Sequence, residues 1–239
     1  MLRFLATQPA PVTLDRLAAA CNLPRSSAYH LLGAMTEEGF VVHLPEEHTY
    51  GLGVAAFEVG SGYSRQEPLQ RLARRHLARL VDDVGQTAHL AVLHGREVLY
   101  VLEERAPGRP PLVTDIGVRL PAHLTASGRA ILAALPAAQV RALFPDRAAF
   151  VDRTGLGPAG PRRLREALAE TRQRGHSLEV DEVTPGFSSV AAAVLDHNRH
   201  PVAAVAVTYP DDAGTDIGRT SALTVRTAAA ITRRISSAR

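Results

Sequence analysis

The segment from Val12 to Gly53 constrains this chain more than any other part of it. Its apolar and turn-forming residues follow one another in the order expected for two helices and a hairpin. The first helix is short, with Leu14 and Leu17 on one face. After a tight turn at residues 21–23, Pro24 stands where the first turn of the next helix accepts a residue without an N–H. Two helices held together by such a turn fit the major groove of B-DNA.

The second helix of this segment has an apolar stripe and a polar face. Its apolar residues recur at intervals of three and four, which is typical of one buried stripe. The members of this stripe are Ala28, Leu31, Leu32 and Met35, and Gly39 is predicted to end the helix. The opposite face, near the helix start, is small and polar, as in helices that contact base edges and phosphates. Together with one residue of the first helix, the predicted DNA-binding residues are Arg16, Arg25, Ser26, Ser27, Tyr29 and His30.

Two short β-prone runs, residues 40–42 and 49–50, flank the turn Pro45–His48. They predict a small hairpin, the wing of a winged helix-turn-helix. Arg25 has the reach for a bidentate pair with guanine, which contributes roughly 1–3 kcal/mol of discrimination between bases. A capped amphipathic helix in an unrelated globular domain is the alternative interpretation. The order of helix, turn, helix and wing favours DNA binding over that alternative.

The charge of the amino-terminal segment argues against a purely electrostatic DNA binder. Residues 1–62 contain three arginines and six acidic residues, which give a formal charge of −3. Because neutralised phosphates supply most of the non-specific affinity for DNA, one copy is expected to bind DNA weakly. Two copies acting together compensate for this. We therefore expect operator binding that depends on self-association and on salt.

The composition limits the classes of protein to which this chain can belong. The 239 residues are 46% apolar, which is enough for one or two domains with sizeable cores. No apolar run reaches the ~18 residues of a membrane span. No basic-then-apolar leader opens the chain, so we expect a cytoplasmic protein with no membrane partner. The single cysteine, Cys21, excludes an internal disulfide and fits a reducing compartment.

After the predicted wing, the pattern changes. Residues 54–64 predict a short helix that ends in a Gly/Ser break, as expected of a linker. The next helix, over residues 66–84, carries arginines on a solvated face and a stripe formed by Leu69, Leu72, His76, Leu80 and Val84. The predicted strands are 86–93, 97–102, 188–195 and 202–208, with a further extended segment at 113–120. The further predicted helices are 125–135, 137–143, 162–173 and 217–235. Paired strands with interspersed helices predict an α+β domain with an antiparallel sheet.

Three patterns resemble catalytic or cofactor motifs, but each is better explained by a structural role than by a functional site. Gly155–Gly160 matches GxGxxG, but no apolar strand precedes it and prolines disturb it, which favours a loop over a dinucleotide site. His197 and His200 lie in a predicted turn without a convincing further metal ligand. Ser127 and His123 are spaced as a nucleophile and its base, without a third orienting group. We therefore expect no cofactor and no metal, and we do not favour an enzyme.

Five sequence blocks together resemble the IclR-type transcriptional regulators over nearly the whole chain. The blocks are LDRLAAACNLPRSSAYHLLGAMTEEGFV, YGLG, GVRLPAHLTASGRAILAAL, RGHSLEVDEVTPGFSSVAAAV and PVAAVAVTYP. The resemblance implies an α+β protein with a winged helix-turn-helix at residues 1–53, a linker helix at 54–65 and a GAF-like α/β effector-binding domain at 66–239. It also implies dimers, or dimers of dimers, that bind operator DNA and respond to a small metabolite.

The resemblance further implies an effector pocket where three segments converge. The backbone of Ala126 and Ser127 is expected to approach the ligand at a helix start, where free N–H groups and the helix dipole suit a carboxylate. The expected effector-binding residues are His123, Ala126, Ser127, Glu179, Ser189 and Thr208. Relative to the family pattern, Arg129 replaces a lysine, Ser189 replaces a cysteine, and Ala206 removes a hydroxyl. The effector is therefore expected to differ from the small keto acids that some relatives bind.

We expect a DNA-binding transcriptional regulator whose operator affinity is modulated by a small organic acid in the carboxy-terminal domain. An effector that prefers one arrangement of the oligomer would change the spacing of paired winged helices. One alternative is a ligand-sensing module that acts through protein contacts without specific DNA binding. The other is a hydrolase that uses Ser127 and His123.

Overall fold

The computed structural model of the chain describes residues 1–66, 68–109, 112 and 114–237. The chain divides into two compact units, Met1–Glu67 and Pro68–Arg239. The described elements of the amino-terminal unit are α1 (Leu2–Ala6), β1 (Val12–Thr13), α2 (Leu14–Ala20), α3 (Arg25–Glu37), β2 (Val41–Leu44), β3 (Thr49–Leu52) and α4 (Val54–Gln66). None of the helices in the described part of the chain is long and apolar enough to span a bilayer.

The sheet of the amino-terminal unit is antiparallel, in the order β1-β3-β2. Strands β2 and β3 form the predicted hairpin around Pro45–His48, and β1 adds a third strand that pairs Val12 with Tyr50. The buried core of this unit consists of Leu5, Val12, Leu17, Leu32, Val41 and Tyr50. The winged helix-turn-helix predicted from the sequence is confirmed.

Helix α3 ends where its capping chemistry allows. Gly39 has a left-handed backbone, with φ of +72°. The N–H of Phe40 donates to the carbonyl of Met35 at 2.9 Å. The N–H of Gly39 donates to the carbonyl of Thr36 at 3.0 Å, so two of the last carbonyls of the helix are satisfied. The predicted end at Gly39 is confirmed.

One member of the predicted stripe on α3 is wrong. Ala28 and Leu32 are fully buried and Met35 is partly buried, whereas Leu31 is 45% exposed. Successive residues of a helix differ in direction by about 100°. Leu31 and Leu32 therefore cannot both face the small core, and Leu32 occupies it.

Helix α4 continues where the sequence predicts a break. The Gly/Ser run begins at Gly60, but the helix extends without interruption to Gln66. A glycine in a helix costs about 1 kcal/mol relative to alanine, which weakens a helix without preventing it. The first turns of α4 expose three large apolar side chains, Val54, Phe57 and Val59.

The described elements of the carboxy-terminal unit are α5 (Pro68–Val84), β4 (Thr87–His94), β5 (Glu97–Glu104), β6 (Arg119–Pro121), α6 (Ala126–Ala134), α7 (Ala137–Leu143), α8 (Pro161–Arg174), β7 (Ser177–Val180), β8 (Phe187–Leu195), β9 (Pro201–Pro210) and α9 (Ile217–Ser237). These strands form one antiparallel sheet in the order β6-β5-β4-β9-β8-β7. The predicted α+β class and antiparallel sheet are confirmed. The prediction lacks β7, because this strand has only four residues and a glutamate interrupts its apolar pattern.

Helices cover both faces of this sheet. Helices α5 and α9 pack on one face, and α6 and α8 pack on the other. Along β9, Ala204 and Ala206 belong to the core beneath α6, whereas Val205 and Val207 belong to the opposite core. The alanines leave room for α6 to lie close to the sheet. Gly128 acts in the same way on the helix, because an added Cβ would overlap the backbone of Ala122.

The predicted stripe on α5 is correct in part. Leu80 is buried, and Leu69 and Val84 pack against the core beneath α5 and α9. His76 and Leu72 lie at the margin of the stripe, because Ala73, Leu77 and Val81 occupy its centre. The arginines of α5, at positions 71, 74, 75 and 79, are exposed as predicted.

Candidate functional site

The polar face of α3 is open to solvent. All six predicted DNA-binding residues are exposed, namely Arg16, Arg25, Ser26, Ser27, Tyr29 and His30. Four of them line a shallow groove between α3 and the hairpin: Arg25, Ser26, Tyr29 and His30. Arg16 and Ser27 lie outside the lining of this groove. The winged unit therefore presents a continuous polar surface made by one helix and two strands.

The two arginines of this surface already have partners within the unit. Arg25 forms an ion pair with Asp15 of α2. Arg16 donates a hydrogen bond to Oε1 of Gln8 at 2.7 Å. Exposed pairs of this kind contribute only about 0–1 kcal/mol, because water and salt screen them. Either guanidinium can therefore exchange its partner for a stronger acceptor at small cost.

The hairpin adds an aromatic pair that the sequence analysis did not assign to the site. His43 stacks on Tyr50, with ring centroids 4.5 Å apart, and both line the groove with His30. His43 and Tyr50 are directly opposite each other in the β2–β3 register. The alternation of side chains along a strand is the signal for them, but it requires the register of the hairpin to be known.

A cavity of about 100 Å³ lies between the sheet of the carboxy-terminal unit and the start of α6. Five of the six predicted effector residues line it: Ala126, Ser127, Glu179, Ser189 and Thr208. Its other polar residues are Tyr100, Thr114, Thr125 and Thr184, and its apolar residues are Leu112, Val183, Phe187 and Ala206. Strands β5, β7, β8 and β9 thus contribute to one cavity together with one helix terminus.

The polar side chains on the sheet side form a row across three strands. Glu179 of β7 pairs with Ser189 of β8, which pairs with Thr208 of β9. The hydroxyls of Ser189 and Thr208 are 3.0 Å apart. Residues that are directly opposite in an antiparallel sheet have side chains on the same face. Sheet register therefore brings together three residues that are far apart in the sequence.

The start of α6 forms the opposite side of the cavity. Thr125 caps the helix, because its Oγ1 accepts a hydrogen bond from the N–H of Gly128 at 3.0 Å. The N–H groups of Ala126 and Ser127 belong to the first turn, which has no intrahelical acceptors for them. Ser127 is only 1% exposed, and its hydroxyl makes no well-formed hydrogen bond among the described residues, although it interacts with the hydroxyl of Tyr100. This side of the cavity therefore offers donors to a ligand.

Glu179 is the buried acid of the cavity. Its Oε1 accepts hydrogen bonds from the N–H of Glu182 at 2.9 Å and from that of Val183 at 3.1 Å. Burial raises the pKa of Glu179 to about 7, and these backbone bonds and Ser189 partly oppose that rise. Near neutral pH its carboxyl is thus divided between a form that donates a hydrogen bond and a form that only accepts.

Arg129 of α6 supplies no charge to the cavity lining. Its Nη1 and Nη2 donate to the two carboxyl oxygens of Glu182, at 2.9 and 2.8 Å. Nη2 also donates to the carbonyl of Leu178 at 2.6 Å. None of the described residues that line the cavity is a cation. A negatively charged ligand in the cavity would therefore be stabilised by the helix terminus and by neutral donors.

Behind the cavity, a buried histidine holds Thr114 in place. Nε2 of His89 lies 2.9 Å from Oγ1 of Thr114 and 3.5 Å from Oε2 of Glu103. The pKa of Glu103 is lowered, mainly because the ring of His89 lies beside its carboxylate. The sequence carries no local signal for this contact, since Thr114 lies in an irregular segment.

His123 does not line the cavity. Its Nε2 lies 2.9 Å from the carbonyl of Val151, and its ring packs edge-on against Phe144 and Phe150. Burial lowers its pKa, so the ring is neutral and Nε2–H donates to Val151. No hydrogen bond joins His123 to Ser127 among the described residues. The structure thus places His123 in the packing of a neighbouring loop, away from the expected pocket.

The remaining motif-like patterns lie in irregular structure. Residues 150–160 contain no strand, so the interpretation of Gly155–Gly160 as a loop is confirmed. His200 follows the tight turn between β8 and β9, where its N–H donates to Asp196. Among the described residues, no group of three or more His, Cys, Asp or Glu side chains is arranged to hold a metal ion.

Both units match known protein families. A family model described as "IclR helix-turn-helix domain" matches residues 1–45. A second, described as "Bacterial transcriptional regulator IclR C-terminal", matches residues 62–235. The chain belongs to the IclR family. As an IclR-family protein, it is a DNA-binding transcriptional regulator with an amino-terminal helix-turn-helix domain and a carboxy-terminal effector-binding domain.

Individual IclR relatives match most of the chain. The transcriptional repressor IclR of Escherichia coli K12 is 31% identical over 227 residues, which cover 91% of this chain and 82% of the relative. The glycerol operon regulatory protein of Streptomyces coelicolor is 34% identical over 208 residues, which cover 87% and 81%. The crystal structure of the IclR protein of Thermotoga maritima has a TM-score of 0.75 at 27% identity and covers 98% of this chain and 95% of that one. These matches do not favour a ligand sensor that lacks specific DNA binding.

Proposed function

We propose that this regulator binds operator DNA through the exposed face of α3 and the hairpin, and that a small organic acid in the cavity changes its operator affinity. The DNA-contacting residues of this proposal are Arg16, Arg25, Ser26, Ser27, Tyr29 and His30. The effector-contacting residues are Ala126, Ser127, Glu179, Ser189 and Thr208. The observation that carries the effector part is the start of α6 in the cavity wall, where the buried hydroxyl of Ser127 makes no well-formed hydrogen bond.

The DNA part of the proposal is supported by exposure and by the chemistry of α3. The face of α3 that carries Arg25, Ser26 and Tyr29 is exposed near the amino terminus of the helix, which is the part that recognition helices direct at base edges. The guanidinium of Arg25 is held by an exposed pair with Asp15, so a guanine or a phosphate can replace that carboxylate.

The effector part is supported by the two free N–H groups at the start of α6. An anion at a helix amino terminus gains from the N–H groups and from the positive end of the helix dipole. The hydroxyl of Ser127 adds a third donor at the same point. A carboxylate fits this arrangement, because it accepts several hydrogen bonds at once.

Self-association is part of the proposal. The charge of −3 on residues 1–62 makes a single winged unit a weak DNA binder. Val54, Phe57 and Val59 on α4 expose 72%, 76% and 59% of their surface, which is unusual for large apolar residues and suits a contact with a second copy. We infer a dimer or tetramer in the cytoplasm, with residues 1–53, 54–65 and 66–239 as DNA-binding, linker and effector-binding parts, and with no catalytic step.

Fluorescence anisotropy with DNA fragments from the protein's own locus tests the DNA part, at low and at moderate salt. We expect saturable binding that survives competitor DNA and weakens as salt rises. The same titration with a panel of small organic acids, together with thermal shift, tests the effector part. An acid that changes operator affinity should also raise the melting temperature, because it binds the folded state. Binding that a random fragment abolishes would overturn the DNA part, and a panel without any effect would overturn the effector part.

A further inference from the structure

The cavity of the carboxy-terminal unit has chemically different ends. At the α6 end lie donors: the free N–H groups of Ala126 and Ser127 and the buried hydroxyl of Ser127. At the sheet end lies Glu179, whose Oε1 is already occupied by the N–H groups of Glu182 and Val183. Its second carboxyl oxygen is left for Ser189 and for a ligand. A molecule that satisfies both ends carries an acceptor group and a donor group.

The size of the cavity limits that molecule. Its volume is about 100 Å³. An engineered apolar cavity of about 150 Å³ holds one benzene, which has six carbon atoms. By the same proportion, this cavity holds roughly four to six non-hydrogen atoms, which is the size of a two- or three-carbon acid.

Charge decides which end the carboxylate of such an acid occupies. The cavity lining contains no cation among the described residues, and the guanidinium of Arg129 is directed to Glu182 and Leu178. A carboxylate beside Glu179 would meet a like charge whenever Glu179 is ionised. The acid therefore gains most with its carboxylate at the α6 end and its remaining polar group toward Glu179.

We propose that the cavity selects small 2-hydroxy acids, whose carboxylate accepts hydrogen bonds at the start of α6 and whose hydroxyl donates one to Glu179. This inference rests on the function proposed above and narrows its class of effector. A 2-keto acid brings only a second acceptor to Glu179, so it fits only when that carboxyl is protonated. An acid without an oxygen at its second carbon leaves Glu179 without a ligand partner.

The two ligand classes should differ in their dependence on pH. Burial raises the pKa of Glu179 to about 7. A keto acid requires the protonated carboxyl, so its affinity falls about tenfold for each pH unit above that value. A hydroxy acid donates its hydroxyl to the ionised carboxyl, which offsets the repulsion between the two carboxylates, so its affinity falls much less over the same range. The other groups that act on Glu179 from neighbouring elements are Tyr100, Arg129, Glu182, Ser189 and Tyr209. Arg129 stays charged in this range, and burial raises the pKa of both tyrosines, which therefore stay neutral.

Isothermal titration of the full chain with lactate, pyruvate and propionate tests the inference. These three-carbon acids differ only at the second carbon. At about pH 8 we expect the affinity for lactate to be at least about tenfold higher than that for pyruvate or propionate. Of the three acids, only lactate can donate a hydrogen bond to the charged carboxylate of Glu179. At about pH 6 the gap between lactate and pyruvate should narrow, because protonated Glu179 then donates to the keto oxygen.

The variant Glu179→Gln tests the role of the carboxyl by replacing it with an amide of the same shape. Its amide does not ionise and has a donor of its own, so pyruvate affinity should lose its pH dependence and approach that of lactate. Glu170→Gln, on the exposed face of α8, is the matched control and should keep the preference for lactate.

Each outcome of the titration has a definite meaning. Equal affinities of lactate and pyruvate at about pH 8 in the unaltered protein overturn the hydroxy-acid inference and leave the proposed acid site standing. A lactate preference that persists in folded Glu179→Gln overturns the role of Glu179. Absence of binding by all three acids also overturns this inference, whereas the organic-acid effector itself is overturned only if the wider panel has no effect. The pH comparison on the unaltered protein needs no variant, so it decides the question even if Glu179→Gln fails to fold.

Discussion

Arg129 and Glu182 form an ion pair with two hydrogen bonds, and that pair fixes both flanks of Glu179. The guanidinium also bonds the carbonyl of Leu178, immediately before Glu179 in β7. Glu182 lies in the loop after β7, whose N–H groups bind the Glu179 carboxylate. Arg129 is therefore a positioning residue: it sets where the acid of the cavity lies without facing the cavity itself.

Removing the cation of this pair should leave a buried carboxylate without a partner. The side chains of Arg129 and Glu182 are 5% and 13% exposed. We expect Arg129→Gln to lower the free energy of unfolding by about 3–5 kcal/mol, measured by urea denaturation of the carboxy-terminal transition. Arg174→Gln breaks an exposed pair with Glu170 and should cost about 0.5 kcal/mol or less. Similar losses in the two variants would contradict the structural role of Arg129.

The close approach of α6 to the backbone at Ala122 makes Gly128 irreplaceable by alanine. The added Cβ would overlap the carbonyl and Cα of Ala122, so the helix start must shift. We expect Gly128→Ala to destabilise the protein by about 1–3 kcal/mol and to weaken the thermal shift produced by an effector. Gly33→Ala on α3 is the control, because no atom lies near its added Cβ, and it should stabilise the helix by about 0.5–1 kcal/mol. A neutral or stabilising Gly128→Ala would show that α6 tolerates displacement.

Glu179 should make the protein less stable as the pH rises. Burial raises its pKa from the ordinary 4.5 to about 7, so the folded state holds the proton more tightly than the unfolded state. This stabilisation is complete below about pH 4.5 and is lost as the pH rises through about 7, and it amounts to roughly 3 kcal/mol. Glu179→Gln should avoid the loss, so its stability relative to the unaltered protein should increase between about pH 5 and pH 8. Denaturation at several pH values measures this difference in the free energy of unfolding. For Glu170→Gln the difference should not change with pH. A difference for Glu179→Gln that shrinks as the pH rises would contradict the raised pKa.

Arg25 is the residue of α3 whose loss should affect operator binding most. We expect Arg25→Ala to weaken it by roughly 1–3 kcal/mol in anisotropy titrations, because a guanidinium that reads guanine makes two hydrogen bonds. The exposed Arg3 of α1 lies outside the groove beside α3, so Arg3→Ala is the control and should change affinity much less. If the two variants bound the operator equally well, the groove would not be the recognition surface.

The sequence predicts the order of elements well, because long amphipathic patterns are bounded by glycine and proline. Helix α7 was expected at 137–143 and is observed at Ala137–Leu143, and α9 was expected from residue 217 and begins at Ile217. Single positions within a stripe are less secure. Leu31 and Leu32 are adjacent and equally apolar, and only the size of the packed core decides between them.

The candidate site is predictable only where helix starts or the family resemblance mark it. Tyr100, Thr114 and Phe187 reach the cavity through sheet register and an irregular segment, neither of which a single sequence encodes locally. Phe187 lies two residues before Ser189 on β8, so period-two alternation would have identified it once β8 was extended by one residue. His123 misleads because it is close to Ser127 in sequence, while its ring packs with Phe144 and Phe150.

The row of Glu179, Ser189 and Thr208 bears on how such a regulator can evolve. Each strand contributes one member, and the backbone ladder that sets their spacing does not involve their side chains. A single codon change at any one position can thus alter one corner of the ligand's outline while the neighbouring strands stay in register. Descendants of one ancestral gene can in this way acquire new metabolite preferences stepwise, one strand position at a time.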